Sequence, residues 1–170
     1  MIEELKEKIV SQFSEDSVEI LKEGLQETLS VKKDILKELC LWLRDNKDYY
    51  FDFLANITAI DYYPENRFSL VYNLTSIPYQ KQLTLKVDLP NDRNLNELPV
   101  VNSVSSVWRT ADWHEREAFD LMGIFFEGHP DLRRILLPDD WEGFPLRKDY
   151  KEAESYHGIS IKNEASESNV

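Results

Sequence analysis

Apolar side chains recur at helical spacing in two segments near the start of the chain. The first predicts a short amphipathic helix, whose apolar positions are Ile2, Leu5, Ile9 and Phe13. The second predicts a helix from residue 32 to about residue 44, with an apolar stripe made of Ile35, Leu36, Leu39, Cys40 and Leu43. Between them, residues 18–21 and 28–31 predict short β-strands around a turn at Gly24.

The middle of the chain has the two-residue period of β-strands. Residues 53–62 are rich in β-forming side chains, a turn is predicted at 63–66, and apolar residues alternate again from Phe68 to Leu74. A third strand is predicted at 83–89, where every second residue is Leu or Val and the others are Thr, Lys and Asp. These patterns predict an α+β fold in which an antiparallel sheet meander packs against helices.

A third helix is predicted from Trp113 to Met122. Asp112 is its candidate N-cap, Glu115 stands in the capping-box position, and Gly123 suits a left-handed C-terminal cap. The chain then becomes rich in Pro and Gly, which predicts an α+β domain over 1–123 followed by an irregular, extended interaction arm over 124–150. Residues 151–170 are polar without an apolar period, so a flexible tail is predicted there.

Composition narrows the possible functions. The 170 residues carry a formal net charge of −12, which argues against nucleic-acid binding because no basic stripe is present. The single cysteine, Cys40, excludes an intrachain disulfide and an iron–sulfur cluster held by this chain alone.

No apolar run approaches the roughly 20 residues of a membrane span. The acidic N-terminus resembles neither a signal peptide nor a presequence, so a soluble protein of the bacterial cytoplasm is expected.

The sequence contains no recognisable catalytic, cofactor or metal motif. His114-Glu115 starts like a zinc-protease motif, but Ala118 stands where the second histidine belongs. No glycine-rich phosphate loop and no nucleophile elbow occur. Glu115, Glu117 and Asp120 could form an acid–base pair, but a structural salt-bridge network is the favoured interpretation. Its predicted cations are Arg116 in the helix and Arg133, Arg134, Arg147 and Lys148 in the arm.

Aromatic residues and arginines are concentrated between Trp108 and Tyr150, a combination typical of protein–protein contacts. Trp108 and Phe119 are equally compatible with a place in the core. Trp141, Phe144 and Tyr150 lie in the proline-rich arm, and contact with a partner is predicted for them.

The same region resembles the 30-kDa subunit of respiratory complex I, the proton-pumping NADH:quinone oxidoreductase. The resemblance rests on the runs EREAFDLMG (115–123), GHPDLRRIL (128–136), PDDWEG (138–143) and PLRKDY (145–150), and it implies an α+β domain over about 18–150. Its helical signature residues are Glu115, Arg116, Glu117, Asp120 and Gly123. Those in the arm are His129, Pro130, Arg133, Arg134, Pro138, Asp139, Trp141, Arg147, Asp149 and Tyr150. Two departures are Leu121-Met122, where Met-Phe is frequent, and Phe144, where histidine is common.

The resemblance implies a cofactor-free structural subunit of the peripheral arm, at the cytoplasmic face of the bacterial plasma membrane. Its expected partners are the large quinone-site subunit (49-kDa or D type) and the iron–sulfur subunits. FMN, iron–sulfur clusters and quinone are expected on other chains. Two alternatives remain open: the equivalent subunit of a membrane-bound hydrogenase, ferredoxin:plastoquinone reductase or F420H2 dehydrogenase, or a free-standing acidic adaptor.

Overall fold

The computed structural model describes residues 2–22 and 27–160, so the predicted turn at Gly24 and the last ten residues of the predicted tail lie outside it. Its helices are α1 (Ile2–Gln12), α2 (Leu36–Asp45, preceded by a 3₁₀ turn at Lys33–Ile35) and α3 (Ala111–Met122). Its strands are β1 (Val18–Leu21), β2 (Thr28–Val31), β3 (Phe53–Asp61), β4 (Arg67–Ser76), β5 (Lys81–Pro90), β6 (Val100–Asn102), β7 (Phe125–Glu127), β8 (Ser155–Tyr156) and β9 (Ile159–Ser160). Together they confirm the predicted α+β fold.

The main sheet has five strands in the order β1-β2-β5-β4-β3. Strands β3, β4 and β5 form the predicted antiparallel meander, and β1 pairs antiparallel with β2. The pairing of β2 with β5 is parallel, however, so the sheet is mixed and not wholly antiparallel. Alternation of apolar residues identifies a strand but carries no information about the direction of a neighbour distant in the chain.

One face of this sheet forms the core and the other is polar. The core-facing apolar residues of β4, including Phe68, Leu70 and Tyr72, are fully buried. On the opposite face Asn73 Nδ2 donates to Asn56 Oδ1 (2.8 Å), and Thr84 Oγ1 donates to Asn73 Oδ1 (3.0 Å). This division explains the strict alternation in the sequence, because antiparallel sheets can leave one face to water.

Helix α3 begins at Ala111, two residues before the predicted start, and its N-cap residue Thr110 makes no capping hydrogen bond with its side chain, which donates to the Leu54 carbonyl instead. The predicted capping box is therefore wrong. Glu115 points into the core, where it accepts hydrogen bonds from Ser103 and Val104 and makes no capping hydrogen bond at the start of α3. The predicted C-terminal cap is confirmed, since Gly123 is left-handed (φ 66°) and its N–H donates to the Phe119 carbonyl. Within the residues described, no helix is long and apolar enough to cross a membrane.

The chain does not become irregular directly after Gly123. Ile124 and Phe126 are buried, and strand β7 pairs in parallel with β6, opposite Val101. Neither strand was predicted, because three residues are too few to show a period. Residues 128–150 then run without a helix or strand along α3, and β8 and β9 form a small hairpin beyond them.

Candidate interaction site on helix α3 and the C-terminal arm

A buried carboxylate anchors the arm to α3. Asp120 is fully buried, and its Oδ2 accepts the backbone N–H groups of Ile135, Leu136 and Leu137 at 3.0, 2.7 and 3.0 Å. Arg134 Nη1 donates to Oδ1 at 3.0 Å. Burial opposes ionisation, but these amide donors and Arg134 outweigh it and lower the pKa of Asp120. Asp120 therefore holds one turn of the arm against the helix as a carboxylate.

A buried guanidinium fastens the arm to the end of the same helix. Arg147 Nε donates to the Met122 carbonyl at 2.7 Å, and Nη2 donates to the Gly123 carbonyl at 3.2 Å. The group lies between the rings of Phe68 and Phe144, 5.0 and 4.7 Å from their centroids. Burial lowers its pKa, but its position at the negative end of the helix dipole is favourable. Arg147 thus caps α3 with a residue of the arm.

A third anchor joins the arm to the end of β3. Arg93 Nη2 donates to Asp61 Oδ1 at 2.5 Å, and the Lys148 N–H donates to Asp61 Oδ2 at 2.8 Å. Arg93 also lies 3.5 Å from Asp149 Oδ2. Burial opposes ionisation of Asp61, but the donors from Arg93 and Lys148 prevail and lower its pKa. Asp61 and Arg93 were not predicted as anchors from the sequence. The one available signal was Asp61, a charged residue at a core-facing position of a predicted strand.

Glu115 and His129 tie α3 to the loop after β6. Ser103 Oγ donates to Glu115 Oε2 (2.5 Å) and the Val104 N–H donates to Oε1 (2.7 Å). The Asp131 N–H donates to His129 Nδ1 (3.0 Å), so Nε2 carries the proton, 3.9 Å from Glu115 Oε2. Both side chains are fully buried. Burial raises the pKa of Glu115 to about 7, although the bonds from Ser103 and Val104 oppose the rise.

This pKa gives a testable pH dependence. The ordinary pKa of the carboxyl is 4.5, so between that value and about 7 the folded chain holds a proton that the unfolded chain has released. Stability should therefore fall as pH rises through this window. Glu115→Gln removes the titration, so its unfolding free energy relative to wild type should rise by about 2 kcal/mol between pH 5.5 and 8.

Urea unfolding at the two pH values measures this difference. The matched control is Glu117→Gln, on the exposed side of the same helix. A difference between wild type and Glu115→Gln that stays constant with pH would show that Glu115 is already ionised in the folded chain at the lower pH.

The predicted salt-bridge network is confirmed only in part. Asp120 pairs with Arg134 as expected, but Arg133 is exposed and pairs with Asp131 at 3.0 Å. Arg147 donates to carbonyl groups, and Lys148 contributes its backbone N–H. The predicted ion pair between Arg116 and Asp120 within α3 does not form, because the Asp120 carboxylate is bonded to Arg134 and to backbone N–H groups of the arm. Arg116 Nε instead donates to the Arg133 carbonyl (3.3 Å), and its guanidinium lies 5.2 Å from the Trp113 ring.

Most of the aromatic residues in this region pack against other residues of the same chain. Trp108 is buried and donates Nε1 to the Phe51 carbonyl, and Phe119 packs against the core, so the core interpretation holds for both. Trp141 lies 5.3 Å from the Tyr156 ring. Phe144 and Tyr150 are half-buried and cover Gly123 and Gly143 respectively. Contact of Trp141, Phe144 and Tyr150 with a partner remains a prediction.

Three large apolar side chains on or beside α3 are exposed. Trp113 belongs to the aromatic-rich region identified in the sequence, whereas Leu136 and Leu146 were not predicted to contact a partner. Trp113 is 65% exposed, Leu136 60% and Leu146 57%. The Leu136 N–H bonds to Asp120 and the Leu146 N–H to the Leu121 carbonyl, so both flank the helix that carries Trp113. The remaining arm residues of the predicted signature, Pro130, Pro138 and Asp139, are exposed. We call Trp113, Leu136 and Leu146 the apolar rim.

Comparison with known proteins identifies the family. The family model described as "Respiratory-chain NADH dehydrogenase, 30 Kd subunit" matches residues 29–156. Proteins named as the C subunit of NADH-quinone oxidoreductase are 46% identical in Chloroherpeton thalassium (75% of this chain, 51% of that protein), 46% in Chlorobium phaeobacteroides (73% and 72%) and 40% in Geotalea uraniireducens (84% and 84%). The aligned region thus spans about half of the first relative and most of the other two.

A solved structure shows the same fold. It is a chain in the membrane-bound sulfane sulfur reductase, an archaeal respiratory membrane complex, with a TM-score of 0.70 over 88% of this chain and 85% of that chain, at 23% identity. Three findings point to the same family. They are the sequence signature on α3 and the arm, the match of the family model over residues 29–156, and the relatives of 40–46% identity. The chain belongs to the family of the 30-kDa subunit of respiratory-chain NADH dehydrogenase.

Proposed function

We propose that this chain is a structural subunit of an NADH:quinone oxidoreductase complex, at the cytoplasmic face of the bacterial plasma membrane. It would hold the large quinone-site subunit and the iron–sulfur subunits together, while FMN, the clusters and quinone reside on other chains. It would thereby support electron transfer from NADH to quinone, coupled to proton translocation, without an active site of its own. The names of the relatives at 40–46% identity support this assignment.

The arm is the observation that carries the proposal. Its charged anchors Asp120, Arg147 and Asp61 are buried, and each makes hydrogen bonds that hold the arm to α3 or β3. Burying three charged groups is costly, and such networks fix geometry more than they add stability. They position Leu136 and Leu146 of the arm beside α3, which carries Trp113. Together these three residues form the exposed apolar rim, and Trp is among the residues enriched at binding hot spots.

The main alternative is the equivalent subunit of a related complex, such as a membrane-bound hydrogenase. The archaeal reductase chain shares the fold at 23% identity, whereas the relatives named for NADH and quinone are 40–46% identical. We therefore favour the NADH complex. Affinity purification of the tagged chain from gently solubilised membranes of its host tests this. Recovery with a quinone-site subunit and an NADH-oxidising flavoprotein supports it; recovery with hydrogenase-type subunits supports the alternative, and isolation of the chain alone contradicts both.

A variant series tests the role of the apolar rim. Trp113→Ala should weaken association by on the order of 2 kcal/mol, or roughly thirty-fold, because exposed Trp residues are frequent binding hot spots. The control is Ile77→Ala, since Ile77 is 61% exposed in the turn between β4 and β5. Both variants should unfold at the same temperature as wild type. Equal recovery of partner subunits with the two variants would remove Trp113 from the interface.

A further inference from the structure

Strand β3 forms an open edge of the main sheet. Among the strands of the described residues it pairs only with β4, and the Tyr62 N–H donates to the Arg67 carbonyl at the end of that ladder. Antiparallel pairs alternate between hydrogen-bonded and non-bonded. From the register of the two strands, Asn56, Thr58 and Ile60 therefore bond to β4, and Ile57 and Ala59 direct their N–H and C=O groups away from the sheet. Among the residues described, these outward groups have no hydrogen-bond partner.

Two common protections are absent from segment 56–61 of this edge, although α3 lies beside it. Natural edge strands are commonly very short or carry Lys or Pro. The opposite edge, β1, has only four residues, whereas β3 has nine, and its segment 56–61 contains neither Lys nor Pro. A β-bulge at residues 54–56 disturbs only the beginning of the strand.

A groove of about 360 Å³ runs along this edge. One wall consists of the four consecutive residues 56–59, so the groove follows the strand backbone and does not lie on one face of the sheet. The opposite wall is α3, through His114, Glu117 and Leu121, and Leu146 of the apolar rim also lines it. Four strand residues span roughly 13 Å, enough for about four residues of an extended chain.

We propose that this groove binds an extended segment of another subunit, which adds to β3 as a sixth strand. Main-chain hydrogen bonds to Ile57 and Ala59 would hold it, as in other cases where a peptide adds to an exposed sheet edge. The inference rests on the proposed function, which supplies the partner subunit.

The groove walls define the chemistry of that segment. Glu117 is exposed and, among the residues described, has no ion pair. It would therefore form an ion pair with a Lys or Arg of the segment. Leu121 and Leu146 would contact an apolar residue of the segment. The small side chains of Ala59 and Ala118 leave room for the backbone of the segment. The net charge of −12 also favours a basic segment.

Hydrogen exchange tests the proposal in the full chain and in the purified complex. In the isolated chain the amides of Ile57 and Ala59 should exchange quickly, and those of Thr58 and Ile60, which bond to β4, should be protected. In the complex the first pair should slow at least a hundredfold. Equal rates in the two samples, with the chain present in the complex, would overturn strand addition and leave the proposed function intact. A chain that never co-purifies with a complex would overturn both.

A charge reversal and a crosslink identify the occupant. Glu117→Lys should reduce recovery of partner subunits at least tenfold, whereas Glu19→Lys on the opposite edge should not. Unchanged recovery with Glu117→Lys contradicts the proposal. A photoreactive benzoylphenylalanine at Thr58, irradiated in the purified complex, should attach to a basic, extended segment of another subunit. Attachment to this chain itself, or to a second copy, would overturn it.

Discussion

Replacing Asp120 with alanine should cost about 4 kcal/mol of unfolding free energy, because it leaves three buried backbone N–H groups and a partly buried guanidinium without their acceptor. Domains of this size are stable by about 5–15 kcal/mol, so the isolated chain should remain folded at 25 °C. Its melting temperature should fall by roughly 10 °C. The arm should open first, since residues 134–137 lose their attachment to α3.

Urea unfolding followed by tryptophan fluorescence measures this change. The control is Asp131→Ala, which removes an ion pair with Arg133 whose side chains are 52% and 73% exposed. Such surface pairs contribute about 0–1 kcal/mol. If the two variants lost stability equally, the hydrogen bonds to Asp120 would not hold the arm in solution.

The same residue gives a second readout at low pH. Its folded pKa lies below the ordinary value of 3.8, so its contribution is complete above that value and is lost as pH falls through the folded pKa. The difference in unfolding free energy between wild type and Asp120→Ala should therefore shrink in strong acid. A difference that stays constant down to pH 2 would contradict an ionised Asp120.

Gly123→Ala is the second change with a large expected effect, about 3 kcal/mol. The residue has φ 66°, which costs an alanine roughly 1–2 kcal/mol. A Cβ atom there would also stand 2.4 Å from Phe144 Cε2, far inside contact distance. Phe144 would have to move, and its ring packs against Arg147, which caps the end of α3.

Two control variants separate strain from the clash. Gly128→Ala adds a Cβ at φ 78° with nothing within 4 Å, so it should cost only the strain of roughly 1–2 kcal/mol. Gly123→Ala introduced into a Phe144→Ala background should cost a similar amount, because the clashing ring is absent. Thermal unfolding of the four variants completes the comparison. A cost of Gly123→Ala that is the same with and without Phe144 would exclude the clash.

Phe144 also shows what the family resemblance left undecided. The resemblance indicated only that phenylalanine stands here where histidine is common. In the structure the ring instead covers Gly123 and lies 4.7 Å from the Arg147 guanidinium and 5.7 Å from that of Arg134. Its contribution within the chain is therefore packing around two buried or half-buried cations.

The sequence alone determined the elements whose signal is local. Helices α1 and α2, the antiparallel meander β3–β5 and the cap at Gly123 follow from side-chain periodicity and from the freedom of glycine at positive φ. The signature residues likewise identified the family before any fold was known. Each of these inferences depends on short runs of neighbouring residues.

The tertiary structure decided every feature that joins distant parts of the chain. The parallel pairing of β2 with β5, the turn of Glu115 into the core and the bond between Asp61 and Lys148, 87 positions apart, have no local signal. A charged residue in the sequence does not reveal which buried partner will offset its desolvation, because that depends on which elements pack together. The groove along β3 exists for the same reason: α3 lies beside the open edge only in the folded chain.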